Sequence, residues 1–381
     1  MTTQRILCIS LSPIARDARV LRQISVLAEF GPVTTIGYGA KPVGASEHIE
    51  VPAHLLSLPQ DPRGVLLLAA RQLERAETHA PAARFILQAL RDRTFDVVVA
   101  NEARVLAVAD RVARGAPIWV DLHEWAPEER THVLSWRLLV APLMRYLCAR
   151  YLPSCAAATT VSPSIAALYQ RDFGVLPRVV RNTNPWRDLS PSPVADDRIR
   201  LVHSGGAVRG RNLEALIDTV SQLDSRFSLD LYLVPANDGG RYLRELTTRA
   251  QGVDRITFQL PVDPSELPVV LNAYDVGVYV MPPVTVNARL ALPNKFFDFV
   301  QGRLGVLVGP TKEMSDLVQE HGLGEVTEDF SVEATVAALS GLTSDAIRSY
   351  KMNSDRASRV LSFDADAEVI REVIRDVTTT S

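Results

Sequence analysis

The chain has 381 residues, 47% of them hydrophobic and 22% charged, with a formal net charge of −3. That is enough chain for two domains, each with its own core, and the charge balance excludes the basic footprint of a nucleic-acid binder. Three scattered cysteines, Cys8, Cys148 and Cys155, match neither a disulfide framework nor a zinc pattern and suit a reducing cytoplasm.

From the N-terminus, Met1 to Arg5 leads straight into an apolar run, too short and without the cleavage site for a signal peptide. Residues 6–10 predict a strand, 18–29 a helix and 33–38 a strand, with further strands at 95–100, 118–121 and 156–161. Helical stretches separate them, the alternation of a parallel sheet covered by helices. No uncharged run reaches the roughly 18 residues of a membrane span; the nearest, residues 138–155, is broken by Arg145, Arg150 and two prolines. Residues 63–93 carry six arginines on an otherwise apolar helical pattern. One reading is a solvated face. The sharper one is a surface for anionic lipid, a peripheral contact at the inner face of the plasma membrane.

The pattern pauses at residues 181–193, where three prolines among polar residues predict a linker. It then restarts: strand 199–203, helix 212–223, strand 228–234, helix 241–250, strand 255–259, and strands at 276–280 and 305–308. Two α/β halves of similar size follow, 1–185 and 186–361. Open parallel sheets bind ligands beyond the carboxyl ends of their strands, so two such sheets facing one another predict a cleft with a ligand in it.

Four segments carry candidate chemistry. After the strand at 199–203 comes Ser204-Gly205-Gly206-Ala207-Val208-Arg209-Gly210-Arg211-Asn212. A glycine-rich turn entering a helix lets backbone amides approach a phosphate. The Gly205-x4-Gly210 spacing nearly makes a P-loop, but Arg211 replaces its lysine and Asn212 its hydroxyl. Next, Leu292-Pro293-Asn294-Lys295-Phe296-Phe297-Asp298 predicts a helix with Pro293 at its first position and Gly302 at its end. Phe296, Phe297 and Val300 point inward, the amides of Asn294 and Lys295 open toward an anion, and Asp298 lies one turn on, in reach of a ribose. In the first half, Asp121-Leu122-His123-Glu124 puts polar groups at a strand end, with no His-Glu-x-x-His zinc pattern. Last, the turn at residues 12–21 holds Asp17, a helix N-cap candidate, and Arg16 and Arg19, facing the cleft.

Together these segments resemble the retaining group 1 (family four) glycosyltransferases of the GT-B fold. The carriers are Asp17-Ala18-Arg19-Val20, Asp121-Leu122-His123-Glu124, Arg181-Asn182-Thr183-Asn184-Pro185 and the Leu292 to Asp298 stretch, in the family's order across nearly the whole chain. The resemblance implies two Rossmann-like doubly wound domains facing across a cleft. The N-terminal one (1–185, joined by a closing helix at 362–378) binds an acceptor, a glycan or lipid-linked saccharide. The C-terminal one (186–361) binds a nucleotide diphosphate sugar as co-substrate. It further implies a donor site of Gly205, Gly206, Arg209, Arg211, Asn294, Lys295 and Asp298, His123 and Arg211 as catalytic groups, and Asp17, Arg19 and Glu124 on the acceptor side. No metal is called for, because the phosphate ligands are cations and amides.

One departure stands out: where the family often has a first glutamate, separated from the second by seven intervening residues, this chain has Leu290, with Asp298 in the second place and Asn287 and Arg289 as nearby substitutes. Three functions follow: a glycosyltransferase, a catalytically weak relative acting as a partner in polysaccharide assembly, and a sugar-nucleotide epimerase on the same fold.

Overall fold

The computed structural model describes residues 3–379. It divides into two compact units. One comprises the described chain up to Arg181, Thr285–Ala291, and the chain from Asp366 onward; the other comprises Asn182–Val284 and Leu292–Ala365. The junction thus falls at residues 181–182, in the proline-rich stretch without helix or strand, and a short excursion, Thr285–Ala291, rejoins the first unit, which sequence reading did not foresee.

The first unit is built on strands β1 (Ile6–Pro13), β2 (Val33–Tyr38), β3 (Glu47–Val51), β4 (Val97–Asn101), β5 (Ile118–Leu122), β6 (Ala157–Thr160) and β7 (Arg178–Val179). They form one sheet in the order β3-β2-β1-β4-β5-β6-β7, every neighbouring pair parallel. The central strands β4 and β5 are buried along their whole length, as expected when helices cover both faces. β3 and β7 escaped sequence reading because they are edges: β3 reads Glu-His-Ile-Glu-Val, and β7 is two residues long.

The second unit repeats the plan with β8 (Ile199–Ala207), β9 (Phe227–Pro235), β10 (Ile256–Gln259), β11 (Val276–Tyr279), β12 (Gly305–Val308) and β13 (Gly324–Val326). The order is β10-β9-β8-β11-β12-β13, again all parallel. Both sheets are doubly wound. Strand order reverses between β1 and β4 in one and between β8 and β11 in the other, the switch points where such sheets hold ligands.

Local chemistry sets the helix starts. Asp17 Oδ1 accepts from the Val20 amide at 3.3 Å and caps Ala18–Leu27. Ser162 caps Pro163–Phe173, which ends on Gly174 in the left-handed region. The helix Asn294–Gln301 starts one residue later than proline preference suggests: Pro293 is its N-cap, with extended backbone. Its rings Phe296, Phe297 and Phe299 are fully buried. Phe299 is pressed so closely on β11 that a Cβ at Gly277 would lie 2.3 Å from its ring. That contact seats the helix and fixes where its first turn points. The expected closing helix runs Phe363–Thr379. From Asp366 on it is tied into the first unit by Arg371, which donates to Glu29 at 2.8 Å through Nε and Nη2, and by Arg181 to Asp366 at 3.0 Å.

Candidate functional site

At the switch point of the second sheet, β8 ends in His203-Ser204-Gly205-Gly206-Ala207. Gly205 has φ +137°, and a Cβ there would sit 2.6 Å from Lys295 Nζ. Only glycine leaves room for the lysine to lie against the strand end. The Lys295 ammonium also stands 4.8 Å above the Tyr279 ring and 3.3 Å from His203 Nε2. His203 is buried, and its Nδ1 lies 2.8 Å from the Val278 carbonyl. That carbonyl can only accept, so Nδ1 carries the proton and Nε2 presents a lone pair to Lys295. Burial and the neighbouring Lys295 and Arg211 charges hold the His203 pKa well below its usual value, so it is neutral.

Arg211 completes the cradle. The turn 207–212 bends through Gly210 at φ +85° and Asn212 at φ +55°, which sets Arg211 Nη1 3.4 Å from the Gly206 carbonyl. Among the described residues neither Lys295 nor Arg211 has a carboxylate within ion-pair distance. Burial, followed by Arg211, drives the Lys295 pKa down to about 7, with Asp298 opposing. Beside them the Phe296 amide donates to the Pro293 carbonyl at 3.0 Å. The amides of Asn294 and Lys295 stand ahead of it at the positive end of the helix. A glycine-lined strand end, two neighbouring cations and a helix start are a chemistry that can hold an anion. A cavity of about 20 Å³, lined by His203, Arg211, Asn212, Tyr279, Met281 and Phe330, lies behind it, room for a water.

Two predicted donor residues are otherwise engaged. Arg209 pairs with Glu245 and lies 5.0 Å over the Tyr242 ring. Asp298 is buried rather than solvated and accepts a hydrogen bond from Asn184 Nδ2, so the Asn-x-Pro stretch and the donor helix meet within this unit.

At the first sheet's switch point the polar groups form a chain of alternating charge. Arg19 is buried and grips Asp121 with two bonds, 2.8 Å from Nε and 2.6 Å from Nη2; its Nη1 donates to the Val180 carbonyl at 2.7 Å. Burial works against the Asp121 carboxylate, but Arg19 and His123 outweigh it and lower its pKa. His123, with its side chain 17% exposed, has Asp121 Oδ2 and Asn101 Oδ1 each 3.2 Å from Nε2, and Glu102 Oε1 3.2 Å from Nδ1. Asn101 is oriented by its own Nδ2, which donates to Gln23 Oε1 at 3.0 Å. Carboxylate oxygens near both ring nitrogens favour the protonated imidazole. Burial lowers its pKa, Glu102 and Asp121 raise it, and the net direction is up. Beyond Glu102, Arg104 pairs with both oxygens of Glu129 at 3.0 Å.

Sequence reading missed Glu102. Its backbone sits at φ 77°, ψ 149°, a region that favours glycine and costs an L-residue about 1–3 kcal/mol. The only sign in the sequence is its place directly after a strand that ends in Asn101. Asp17 and Arg19, candidates for the acceptor side, serve the architecture of this sheet end. Glu124 differs from them. Among the described residues its carboxyl has no hydrogen-bond or ion-pair partner, and burial together with Glu102 and Glu129 pushes its pKa up to about 8. The Leu290 position is accounted for by packing: Val286 and Leu290 lie on the first unit's core, Ser162 Oγ donates to the Leu290 carbonyl at 2.7 Å, and Asn287 exchanges two hydrogen bonds with the backbone of Trp125. Asn287 is thereby committed, and Arg289 is exposed.

No protein-family model and no curated relative matches the chain. Solved structures do, over their full length. HepE from Anabaena, in complex with UDP and glucose, is 15% identical with a TM-score of 0.70, covering 98% of this chain and 99% of that one. Sucrose-phosphate synthase from Thermosynechococcus elongatus is 13% identical with a TM-score of 0.73, covering 99% and 100%. A trehalose-6-phosphate protein from E. coli, bound with UDP-2-fluoro glucose, is 11% identical with a TM-score of 0.66, covering 98% and 99%. The chain has the GT-B fold. Among its described residues no helix is long and apolar enough to cross a membrane.

Proposed function

We propose that this GT-B protein is a glycosyltransferase that takes a sugar from a nucleotide diphosphate sugar and passes it, with retention, to a saccharide or lipid-linked acceptor of a cell-surface polysaccharide. The observation that carries the reading is the closeness of Lys295 and Arg211, two cations with no carboxylate in ion-pair range among the described residues, at the switch point of the second sheet. HepE and the trehalose-6-phosphate protein, which share the fold, were solved with UDP-sugar ligands.

Departure of a nucleoside diphosphate builds negative charge on phosphate oxygens. Lys295, Arg211 and the amides of Asn294 and Lys295 would meet that charge with groups already in place, the preorganisation that lowers such barriers. Gly205 and Gly206 admit the phosphates, Asp298 and Asn184 lie toward the ribose, and Arg209 is drawn from Glu245 when a diphosphate is present. His123 acts through its charge, since its ring nitrogens are already engaged, and Glu124 is the acceptor-side carboxyl. Binding needs no divalent metal in this scheme. The test is a thermal shift with UDP, ADP, GDP and their glucose conjugates in EDTA. A ligand that binds only the folded state raises the melting temperature by mass action. No shift with any of them, or a shift that appears only on adding magnesium or manganese, would refute the assignment.

A second reading has an observation in its favour. Leu290 is an apolar anchor where the resembled family often carries an acid, which suits a catalytically weak partner in polysaccharide assembly. Nucleotide stabilisation without hydrolysis or transfer would favour it.

A further inference from the structure

On the first unit, the helix Pro62–Ala69 packs beside the π-helical turn Trp136–Val140, and the short helix Leu73–Ala76 beside Ala141–Tyr151. Arg71 stitches the surface: its Nη1 donates to the Leu68 carbonyl at 3.0 Å and the Leu138 carbonyl at 2.8 Å. The turn before Trp136 is closed by the Val133 amide on the Arg130 carbonyl and the Arg137 amide on the Val133 carbonyl, both at 2.9 Å.

Two properties coincide on this face. Large apolar side chains stand in solvent: Leu66 is 67% exposed, Leu134 58% and Leu138 51%, with Val65 and Val133 beside them. Around them are Arg63, Arg71, Arg75, Arg130, Arg137 and Arg150, none of which has a carboxylate within ion-pair distance among the described residues. Residues 130–171 hold five arginines and no aspartate or glutamate, within a chain of net charge −3. A groove of about 490 Å³ runs between the helices, walled by Arg71, Arg75, Arg150 and Tyr146, with Glu74 as its acid.

We propose that this face docks the protein on an anionic lipid bilayer, with Leu66, Leu134 and Leu138 entering the headgroup–acyl boundary and the surrounding arginines meeting lipid phosphates. Charge complementarity selects the occupant. A protein partner would need only the apolar ridge, whereas a ridge ringed by unpaired cations matches the combination that surface-bound proteins use: buried apolar area together with attraction to anionic headgroups. Arginine also suits phosphate by its planar fork of donors. The face lies on the unit assigned above to the acceptor. The inference does not rest on that assignment, because docking requires no sugar transfer.

The test is co-sedimentation of the full chain with sucrose-loaded vesicles of phosphatidylcholine alone and of phosphatidylcholine with 30% phosphatidylglycerol. Binding is expected to the anionic vesicles and to weaken sharply as salt is raised. Arg63→Gln, Arg75→Gln and Arg137→Gln together should lower partitioning by about a hundredfold, each charge near an anionic surface contributing about fivefold. Leu66→Ser with Leu138→Ser should lower it by about tenfold. All these side chains are exposed, so melting temperature and nucleotide stabilisation should stay at wild-type values, which separates failure of docking from failure of the nucleotide reading. Equal binding to both vesicles, variants that bind like wild type, or a dimer in sedimentation that Leu66→Ser with Leu138→Ser dissolves would overturn the proposal.

Discussion

The same place in the two sheets carries opposite electrostatics. Beyond β1, β4 and β5, charges answer one another along a chain: Arg19 with Asp121, Asp121 with His123, His123 with Glu102, Arg104 with Glu129. Beyond β8 and β11, Lys295 and Arg211 stand together with a neutral His203 and, among the described residues, no acid in pairing range. A closed network holds its own residues in place, and breaking it costs stability. An open one is raised in energy until something of opposite charge arrives, and breaking it costs binding. Each prediction below tries one side of that contrast.

The largest effect on folding is expected in the closed network. Arg19→Met leaves Asp121 buried with its main cation gone, and should destabilise the protein by about 3–5 kcal/mol, the usual result of stranding one half of a buried pair. Urea unfolding measures it; a loss below about 1 kcal/mol would mean that Thr159, whose Oγ1 donates to Asp121 Oδ1 at 2.7 Å, and His123 hold Asp121 by themselves.

In the open site the corresponding change, Lys295→Met with Arg211→Ala, should not destabilise the protein, because it removes buried positive charge, but should weaken nucleoside diphosphate binding by roughly 10²–10⁴-fold, two charge-assisted hydrogen bonds at about 1.5–3 kcal/mol each. Arg211→Ala alone should cost about tenfold or more. Titration calorimetry reads both, and unchanged affinity would show that the glycine turn is only architecture.

The pH dependence sharpens the same point. Lys295 titrates near 7 in the free protein, and an arriving phosphate would restore its proton. Affinity should therefore be greatest below pH 7 and fall by one to two orders of magnitude, roughly, between pH 7 and 9. Binding should take up a proton, visible as a calorimetric enthalpy that varies with buffer ionisation. In Lys295→Met that uptake should vanish; if it persists, the proton belongs elsewhere. The sign for apo stability is the reverse. The lysine pKa is lower folded than unfolded, so the burden of charging it is full below pH 7 and is relieved as pH rises toward 10.5.

The smallest effect concerns Glu124, an unpaired carboxyl within the otherwise closed network. Its folded pKa, about 8, lies above the unfolded value, so it favours the fold at low pH and loses that contribution as pH rises from 4.5 through 8. Glu124→Gln mimics the protonated acid. It should match wild type near pH 4, gain on it as pH rises above 4.5, and melt higher by several degrees at pH 9, while transfer to an acceptor falls. Equal melting at both pH values would place the carboxyl in full contact with water.

Much was legible in the sequence by itself. Hydrophobic runs of four or five residues separated by helical periods dictate parallel α/β sheets, because strands covered on both faces must be apolar throughout. Prolines marked the junction, Asp17 its helix cap, and Gly205-Gly206 and Pro293-Asn294 the turn at a strand end and the start of a helix, since backbone conformation there depends on local residues. What tertiary structure decided is which charges meet. Arg19 and Asp121 are 102 positions apart, and His203 and Lys295 are 92 apart; nothing in local sequence distinguishes the arginine that becomes buried in a pair from the one left open. The strained Glu102 beside His123, the neutral His203 beneath Lys295 and the packing of Leu290 all follow from strand order. Strand order is set by the pairing of distant segments, and that alone turns similar polar loops into a locked ion-pair network at one sheet end and two neighbouring cations at the other.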